Sequence, residues 1–185
     1  MVAISDLTAV RPTESGDQLY YDSNNDNNVY IIKDGDTSNT PLLISDNGLA
    51  AYGLYSDYSS SDYISTRQVY AVEETTYTTS NGNIASGYAL AIVSQYGSTG
   101  NIDTSYELVY VDSSGQIDWG TSSWSNSEST IMNAESEFNE DLNEDGVIGF
   151  DSSLLTQKST DVTGDLLFTD TAGSLYIKPA SGELI

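Results

Sequence analysis

The chain has 185 residues and a formal net charge of −23 at pH 7, from 28 Asp and Glu residues against five Lys and Arg residues. Because nucleic acids and anionic membrane surfaces are themselves negatively charged, neither is an expected partner. The absence of Cys and His excludes disulfides, thiolate zinc sites and Ser-His-Asp triads. No segment approaches the roughly 18 apolar residues of a membrane-spanning helix, so we expect no membrane insertion.

Most of the predicted elements are short β-strands that alternate with polar turns. Fourteen tyrosines and many Ser, Thr, Asn and Asp residues favour β-structure with polar connections. We expect a β-hairpin near each end of the chain and a run of strands between the two hairpins. The predicted strands are 18–21, 29–32, 41–44, 66–73, 88–95, 106–111, 116–119, 166–168 and 175–177.

The turn of the first predicted hairpin carries oxygen-bearing side chains at every second position. Asp22, Asn24 and Asp26 have the spacing of the first ligands of a calcium loop, and Asn27 stands where such loops have glycine. Asn tolerates the positive φ that this position requires. The twelfth position is Lys33 rather than an acidic residue. Two interpretations stay open, a second calcium site and an ordinary solvated hairpin turn.

Four tyrosines stand among Ser and Asp residues in the segment 52–63, which we expect to be a loop. Aromatic rings beside carboxylates can bind sugars by stacking and by hydrogen bonds to hydroxyl groups. Trp119 and Trp124 are candidates for a similar stacking role. The alternative is that these rings pack on the edge of a sheet or flank the helix that follows. A carbohydrate-binding module that uses the Tyr/Asp-rich loops is therefore the alternative function.

Residues 126–140 have the periodicity of an amphipathic α-helix. Apolar positions recur at Ile131, at Ala134 or Glu135, and at Phe138, which places them on one face. Ser127 or Ser125 can cap the start of this segment. We therefore expect a short helix here, and it leads directly into the most informative motif of the chain.

That motif is a calcium loop of the EF-hand type. Asp141, Asn143 and Asp145 put oxygen ligands at positions 1, 3 and 5 of the loop. Gly146 at position 6 permits the sharp turn, and Val147 at position 7 offers its backbone carbonyl. Because carboxylate, amide and carbonyl oxygens suit a hard cation, the expected cofactor is Ca²⁺.

The motif departs from the full pattern at its end. Position 12, usually a bidentate Glu, is Ser152, and Asp151 one residue earlier is the remaining acidic candidate for a ligand. Ile148 at position 8 is expected to anchor the loop in the core. One charge fewer predicts weaker binding, with a dissociation constant on the order of 10⁻⁴–10⁻³ M. The alternative is an acidic turn that binds no ion.

The two terminal hairpins match each other in sequence. Residues 16–22 and 164–170 share a Gly-Asp pair and a final Asp at an offset of 148 positions. Val29–Ile31 corresponds in the same way to Leu175–Ile177, after a turn that is two residues shorter. A period near this length is that of a domain-sized repeat. The alternative is two unrelated hairpins of similar composition.

This period divides the chain into two predicted domains. Residues 1–150 are a β-rich calcium-binding repeat module, and residues 151–185 are a linker plus a hairpin that resembles the start of a second repeat. Thr8–Val10 is expected to correspond to Thr160–Val162. The expected fold class is α+β, mainly antiparallel β with one amphipathic helix leading into an EF-hand-like calcium loop.

Residues 137–149 resemble the closing signature of the tryptophan-rich repeat domains of large secreted, calcium-binding bacterial proteins, cyanobacterial ones especially. In that family the signature follows a strand, an Asp-Ser-x-Gly turn and a Trp-containing segment. Asp112–Gly115, Trp119 and Trp124 match these features in order, so the resemblance covers about residues 30–150.

The resemblance implies a function without catalysis. Such domains are segments of exported adhesin-like or surface-layer-like proteins, which implies a place outside the cell or at its surface. The expected partners are neighbouring repeats or further copies of the chain, with glycans or the cell-surface matrix as alternatives. The chain departs from the family pattern in its low tryptophan content and in Glu144, which stands where glycine is common. No enzyme activity is expected, because the abundance of acidic residues singles out no carboxylate pair for glycoside hydrolysis.

Overall fold

The structure, a computed structural model, divides the chain into two compact units. One unit comprises Met1–Ser125 and the other Asn126–Ile185, so the helix and the predicted calcium loop belong to the C-terminal unit. The predicted boundary at residue 150 is based on the sequence period. The division into compact units is based on contacts and does not test that period, so the boundary stays a prediction. The described residues are 3–10, 17–25, 28–34, 40–51, 53–125, 127–142, 146–149, 155–169, 173 and 175–180.

The N-terminal unit is built from antiparallel strands. In chain order they are β1 (Thr8–Ala9), β2 (Gln18–Asp22), β3 (Asn28–Ile32), β4 (Leu42–Leu43), β5 (Ser45–Asp46), β6 (Leu49–Ala50), β7 (Tyr55–Ser59), β8 (Tyr63–Thr78), β9 (Ile84–Ser98), β10 (Asn101–Asp112) and β11 (Ser123–Ser125). One sheet has the order β1-β2-β3-β4, a larger one the order β11-β10-β9-β8-β7, and β5 pairs with β6. Short 3-10 helices lie at Ile4–Asp6 and Trp119–Thr121.

The prediction of a mainly antiparallel β fold is confirmed, with corrections at two places. The segment 52–63 was expected to be a loop, but its described part contains β7 and the start of β8. Gln116–Trp119 turns back on β10 as expected, but it pairs with β10 only through the antiparallel bridge of Ile117 with Val111 and forms no strand. Gln116 and Ile117 make isolated bridges, and the chain then turns into a 3-10 helix before β11 pairs with β10.

The hydrophobic core of the N-terminal unit combines side chains from the two larger sheets. In β9 every residue of the run Tyr88–Val93 is buried, which explains why this segment reads as a continuous apolar stretch rather than an alternating one. Tyr55 on β7 stacks on Tyr21 of β2, with ring centroids 4.2 Å apart. The buried residues of this core are Leu19, Val29, Ile31, Ile44, Ala51, Leu54, Val69, Val72, Tyr88, Leu90, Ile92, Val109, Val111 and Ile117.

The turn after β10 is organised by the carboxylate of Asp112. One oxygen, Oδ1, accepts hydrogen bonds from the backbone N–H of Ser114 at 2.8 Å, from its hydroxyl at 2.6 Å, and from the N–H of Gln116 at 3.0 Å. Gly115 has a φ of +85°, and a β-carbon there would overlap the carbonyl oxygen of Leu43. The Asp-x-Ser-Gly sequence is therefore required by the turn itself.

Replacing Asp112 with alanine is expected to lower the free energy of unfolding by about 2 kcal/mol at neutral pH, because three hydrogen bonds lose their acceptor. Burial alone raises the pKa of this carboxyl, but the hydrogen bonds from Ser114 and Gln116 outweigh it and hold the pKa below its usual value of 3.8. A lowered folded-state pKa stabilises the fold above the unfolded-state value, and this contribution is lost as the pH falls through the lowered pKa.

Urea unfolding of the wild type and Asp112→Ala therefore gives a difference that is largest at neutral pH and shrinks in strong acid. Asp103→Ala, on an exposed position of the same strand, is the matched control. A difference that stays constant with pH, or one that the control reproduces, contradicts this account of the turn.

The C-terminal unit contains α1 (Glu128–Phe138), the only α-helix among the described residues, and three strands. The strands β12 (Thr156–Thr160), β13 (Leu166–Thr169) and β14 (Leu175–Lys178) form an antiparallel sheet in the order β12-β13-β14. No helix within the described ranges is long and apolar enough to cross a membrane. The buried core of this unit is Met132, Leu155, Phe168 and Tyr176, with Leu166 partly buried against it.

The predicted N-terminal and C-terminal hairpins both form, and the strand before each hairpin also corresponds. Thr8 on β1 pairs with Tyr21, and Thr156 on β12 pairs with Thr169, the residue 148 positions after Tyr21. Thr8 and Thr156 thus lie opposite equivalent positions of the two hairpins. The counterpart expected at Thr160–Val162 lies four residues too far along the chain.

Candidate functional site

The predicted calcium loop begins where α1 ends. Asn139 stops the helix in a left-handed conformation, with φ 52° and ψ 39°, and its N–H donates to the carbonyl oxygen of Glu135. The next N–H, of Glu140, donates to the same carbonyl oxygen at 3.2 Å. Asn adopts this conformation more readily than most residues, so the sequence turns the chain out of the helix immediately before the first candidate ligand.

The first half of the loop is closed by a hydrogen bond between its first and sixth positions. The N–H of Gly146 donates to Oδ2 of Asp141 at 2.9 Å. Gly146 has a φ of +89°, a conformation that side-chain-bearing residues rarely adopt. The positive φ of Gly146 thus accompanies a backbone N–H that faces the carboxylate of Asp141, and the calcium loop itself stays a prediction.

Glu135 ties two separate positions of the loop to the helix. Its side chain is 0% exposed. Its Oε1 accepts a hydrogen bond from the N–H of Leu142 at 3.1 Å, and its Oε2 accepts one from the N–H of Gly149 at 3.1 Å. One buried carboxylate thus fixes the second and ninth positions of the loop, and it satisfies two backbone donors that burial removes from water.

Gly149, in the second half of the predicted loop, packs against the helix. Gly149 is buried and has a φ of +78°, and a β-carbon there would overlap the hydroxyl of Ser136. The expectation that Ile148 anchors the loop is wrong, because its side chain is 49% exposed. Leu142 is the buried apolar residue of the described loop positions, and it continues the helix stripe that ends at Phe138.

Two of the five predicted ligands lie in the described part of the chain. Asp141 is half-buried and already faces the inside of the turn, since its carboxylate meets the N–H of Gly146. Val147, the residue after Gly146, is also half-buried. Asn143, Asp145 and Asp151 lie outside the described residues. Within the described ranges, no three Asp or Glu side chains lie close enough together to hold a metal ion.

Sequence reasoning missed the role of Glu135, although it carried a signal. The helix periodicity requires an apolar residue at position 134 or 135, between Ile131 and Phe138. A glutamate on the buried face has to be paired or hydrogen-bonded. The nearest unpaired donors in sequence are the backbone N–H groups of the loop that follows, so the loop was the partner to expect.

The second candidate loop is organised as a hairpin turn. The carboxylate of Asp22 is buried, and its Oδ1 accepts a hydrogen bond from the N–H of Asn24 at 2.9 Å. The N–H of Asn25 donates to the carbonyl oxygen of Asp22 at 3.2 Å. Asp26 and Asn27 lie outside the described residues. These contacts are those of an Asx turn, which favours the solvated hairpin over a second calcium site.

The three described tyrosines of the segment 52–63 do not form a single surface. Tyr55 is stacked on Tyr21, and burial together with this neighbour raises the pKa of Tyr55 to about 12. Tyr58 and Tyr63 are exposed on strands β7 and β8. Tyr52 lies outside the described residues, so the structure describes three of the four tyrosines of the predicted aromatic cluster.

A polar groove in the N-terminal unit collects aromatic and carboxylate groups from other parts of the sequence. It has a volume of about 530 Å³, and its lining includes Asp46, Tyr77, Asn81, Asp118 and Trp119. The indole of Trp119 is 40% exposed. The carboxylate of Asp118 accepts a hydrogen bond from the N–H of Ser80 at 2.9 Å, and this bond lowers the pKa of Asp118.

Comparison of the chain with protein-family models, with characterised proteins and with solved structures found no match.

Proposed function

We propose that the chain is a non-catalytic, calcium-stabilised structural or adhesive module of an extracellular bacterial protein. The observation that carries this proposal is the hydrogen bond from Gly146 N–H to Asp141 Oδ2 at 2.9 Å. It closes the loop at the two positions where a calcium motif of this spacing requires a carboxylate and a glycine. The resemblance to tryptophan-rich repeat domains supports the extracellular assignment and stays a prediction.

The donor set suits a hard cation. All of the candidate ligand atoms are oxygens, which is the ligand chemistry that Ca²⁺ prefers. They come from Asp141, Asn143, Asp145, Asp151 and the backbone carbonyl of Val147. The buried carboxylate of Glu135 is occupied by two backbone N–H groups. Its contribution is therefore to hold the second and ninth positions of the loop, and the candidate ligands are groups of other residues.

The mechanism of such a module is structural. A chain with a net charge of −23 repels itself, and a bound divalent cation reduces that repulsion at its densest point. Because a ligand that binds only the folded state stabilises it by mass action, folding of the C-terminal unit is coupled to calcium. The unit would then be most stable where calcium is abundant, which is outside the cell.

Calcium chloride should raise the melting temperature of the chain more than sodium chloride does at matched ionic strength. Sodium chloride screens the negative charges generally and is expected to give a smaller, gradual rise. Thermal unfolding followed by circular dichroism measures both effects. Superimposable curves for the two salts would reduce the loop to an acidic turn and contradict the proposal.

A carbohydrate-binding module is the second candidate function, and the polar groove favours it. An exposed indole beside carboxylate and amide groups offers a stacking surface and hydrogen-bonding partners to a sugar. If the groove binds glycans, Trp119→Ala abolishes binding on a glycan array. Trp124→Ala is the matched control, because Trp124 is exposed on β11 outside the groove lining. Absence of any glycan binding by the wild type rules this candidate out.

A further inference from the structure

The two terminal hairpins pair in the same register. In β2 and β3, Leu19 lies opposite Ile31, and Tyr21 lies opposite Val29. In β13 and β14, the residues at the corresponding positions pair in the same way. The second set of pairs is Leu167 with Ile177 and Thr169 with Leu175.

The hydrogen bond at the open end of each hairpin is also the same. In the N-terminal hairpin, the N–H of Asp34 donates to Oδ1 of Asp17 at 2.7 Å. In the C-terminal hairpin, the N–H of Ala180 donates to Oδ1 of Asp165 at 2.9 Å. Ala180 is thus the structural counterpart of Asp34, and the two hairpins correspond from end to end.

One face of the N-terminal hairpin is covered at three of its four paired positions, and Tyr21 at the fourth is half-buried. Leu19, Val29 and Ile31 lie on this face and are 3%, 0% and 1% exposed, respectively. They belong to one core with residues of the five-stranded sheet, among them Val69 on β8 and Leu90 on β9. The apolar face of the N-terminal hairpin therefore packs against the five-stranded sheet.

The corresponding face of the C-terminal hairpin is exposed on its second strand, whereas on its first strand Leu167 is half-buried and Thr169 is buried. Leu175 is 68% exposed and Ile177 is 47% exposed, at the positions that correspond to Val29 and Ile31. The opposite face of this hairpin is the covered one, because Phe168 and Tyr176 are buried with Met132 of α1. Leu175 and Ile177 are neighbours on one face of β14, so their side chains form an exposed aliphatic patch where the corresponding N-terminal residues are buried.

We propose that the exposed patch of Leu175 and Ile177, with half-buried Leu167 beside it, docks a further copy of the five-stranded sheet. The partner is thus another unit like residues 40–125, seated on this hairpin as the first unit is seated on its own N-terminal hairpin. The inference deepens the structural role proposed above and rests on it, because it names the neighbouring unit as the partner.

A fused chain tests the proposal directly. Since Ala180 corresponds to Asp34, residues 1–180 are joined to residues 35–185, so that the first C-terminal hairpin precedes a second sheet. The chain contains no cysteine. Val109→Cys in the added sheet therefore supplies a single thiol at a fully buried core position. Its rate of modification by a thiol reagent reports whether the added sheet is folded.

The thiol is expected to react at least tenfold more slowly in the native fused chain than in urea. Leu175→Asp with Ile177→Asp in the first C-terminal hairpin should restore fast modification, because that hairpin covers the added sheet. The same pair in the second C-terminal hairpin is the matched control and should leave the thiol protected. In the unfused chain, the pair should leave the melting temperature unchanged, which shows that the hairpin itself still folds.

A thiol that reacts freely in the fused chain overturns the proposal. A thiol that stays protected when the first C-terminal hairpin carries the two aspartates also overturns it. So does a lower melting temperature of the unfused chain that carries the two aspartates. The readout lies in the sheet rather than in the calcium loop. A loop that fails to bind calcium therefore leaves this result unchanged, and the two failures can be told apart.

Discussion

Glu135→Ala is expected to lower the free energy of unfolding of the C-terminal unit by about 4 kcal/mol. The substitution leaves the N–H groups of Leu142 and Gly149 buried without the acceptor they have in the native structure. Each unsatisfied buried donor costs about 1–3 kcal/mol. Hydrogen exchange of the backbone amides of α1 and of strands β13 and β14 measures the change within this unit.

Two further variants separate the buried contact from a general effect of charge. Glu137→Ala removes the same charge from an exposed position on the same helix and is expected to change stability by less than about 0.5 kcal/mol. Glu135→Gln keeps one acceptor oxygen and should fall between the two alanine variants. If Glu135→Ala is no more destabilising than Glu137→Ala, the carboxylate does not hold the loop.

Calcium at a hundredfold excess over its dissociation constant is expected to stabilise the chain by about 2.7 kcal/mol through one site. For a chain of this length, that corresponds to a rise in melting temperature of roughly 5–10 °C. Asp141→Ala should abolish the rise, because Asp141 supplies the first ligand and the oxygen that closes the turn with Gly146. The melting temperature with and without calcium measures both effects.

Asp57→Ala is the matched control for this prediction, since it removes the same charge from an exposed position on β7. It should leave the response to calcium intact. A response that survives in Asp141→Ala would place the stabilising ion elsewhere on the chain, and a response lost equally in both variants would make it a general effect of charge.

The β-rich architecture was predictable because its signals are local. Apolar and aromatic residues fall in short runs between Asp, Asn, Ser and Gly turns, and the turn at Asp112–Gly115 is specified by its own side chains. The length of β8, β9 and β10 was not predictable in the same way. Their ends are exposed and do not alternate between apolar and polar residues, so pairing with a neighbouring strand, rather than their own composition, makes them strand.

The features that escaped prediction depend on contacts between distant residues. Gln116–Trp119 has the composition of a strand, but Gln116 and Ile117 bond to Ser45 and Val111 as isolated bridges, and Asp118 turns the chain. Glu135 fits a helix stripe only because the loop supplies two N–H groups seven and fourteen residues later. A glutamate in an apolar stripe is thus a sequence signal for a bound loop, which periodicity alone treats as a defect.

Isothermal titration of the chain with calcium chloride tests the central claim most directly, with Asp141→Ala titrated alongside as the reference. The account predicts one site per chain in the wild type, with a dissociation constant on the order of 10⁻⁴–10⁻³ M, and no saturable heat from Asp141→Ala. Equal binding by the two proteins, or no saturable binding by the wild type, would contradict the account.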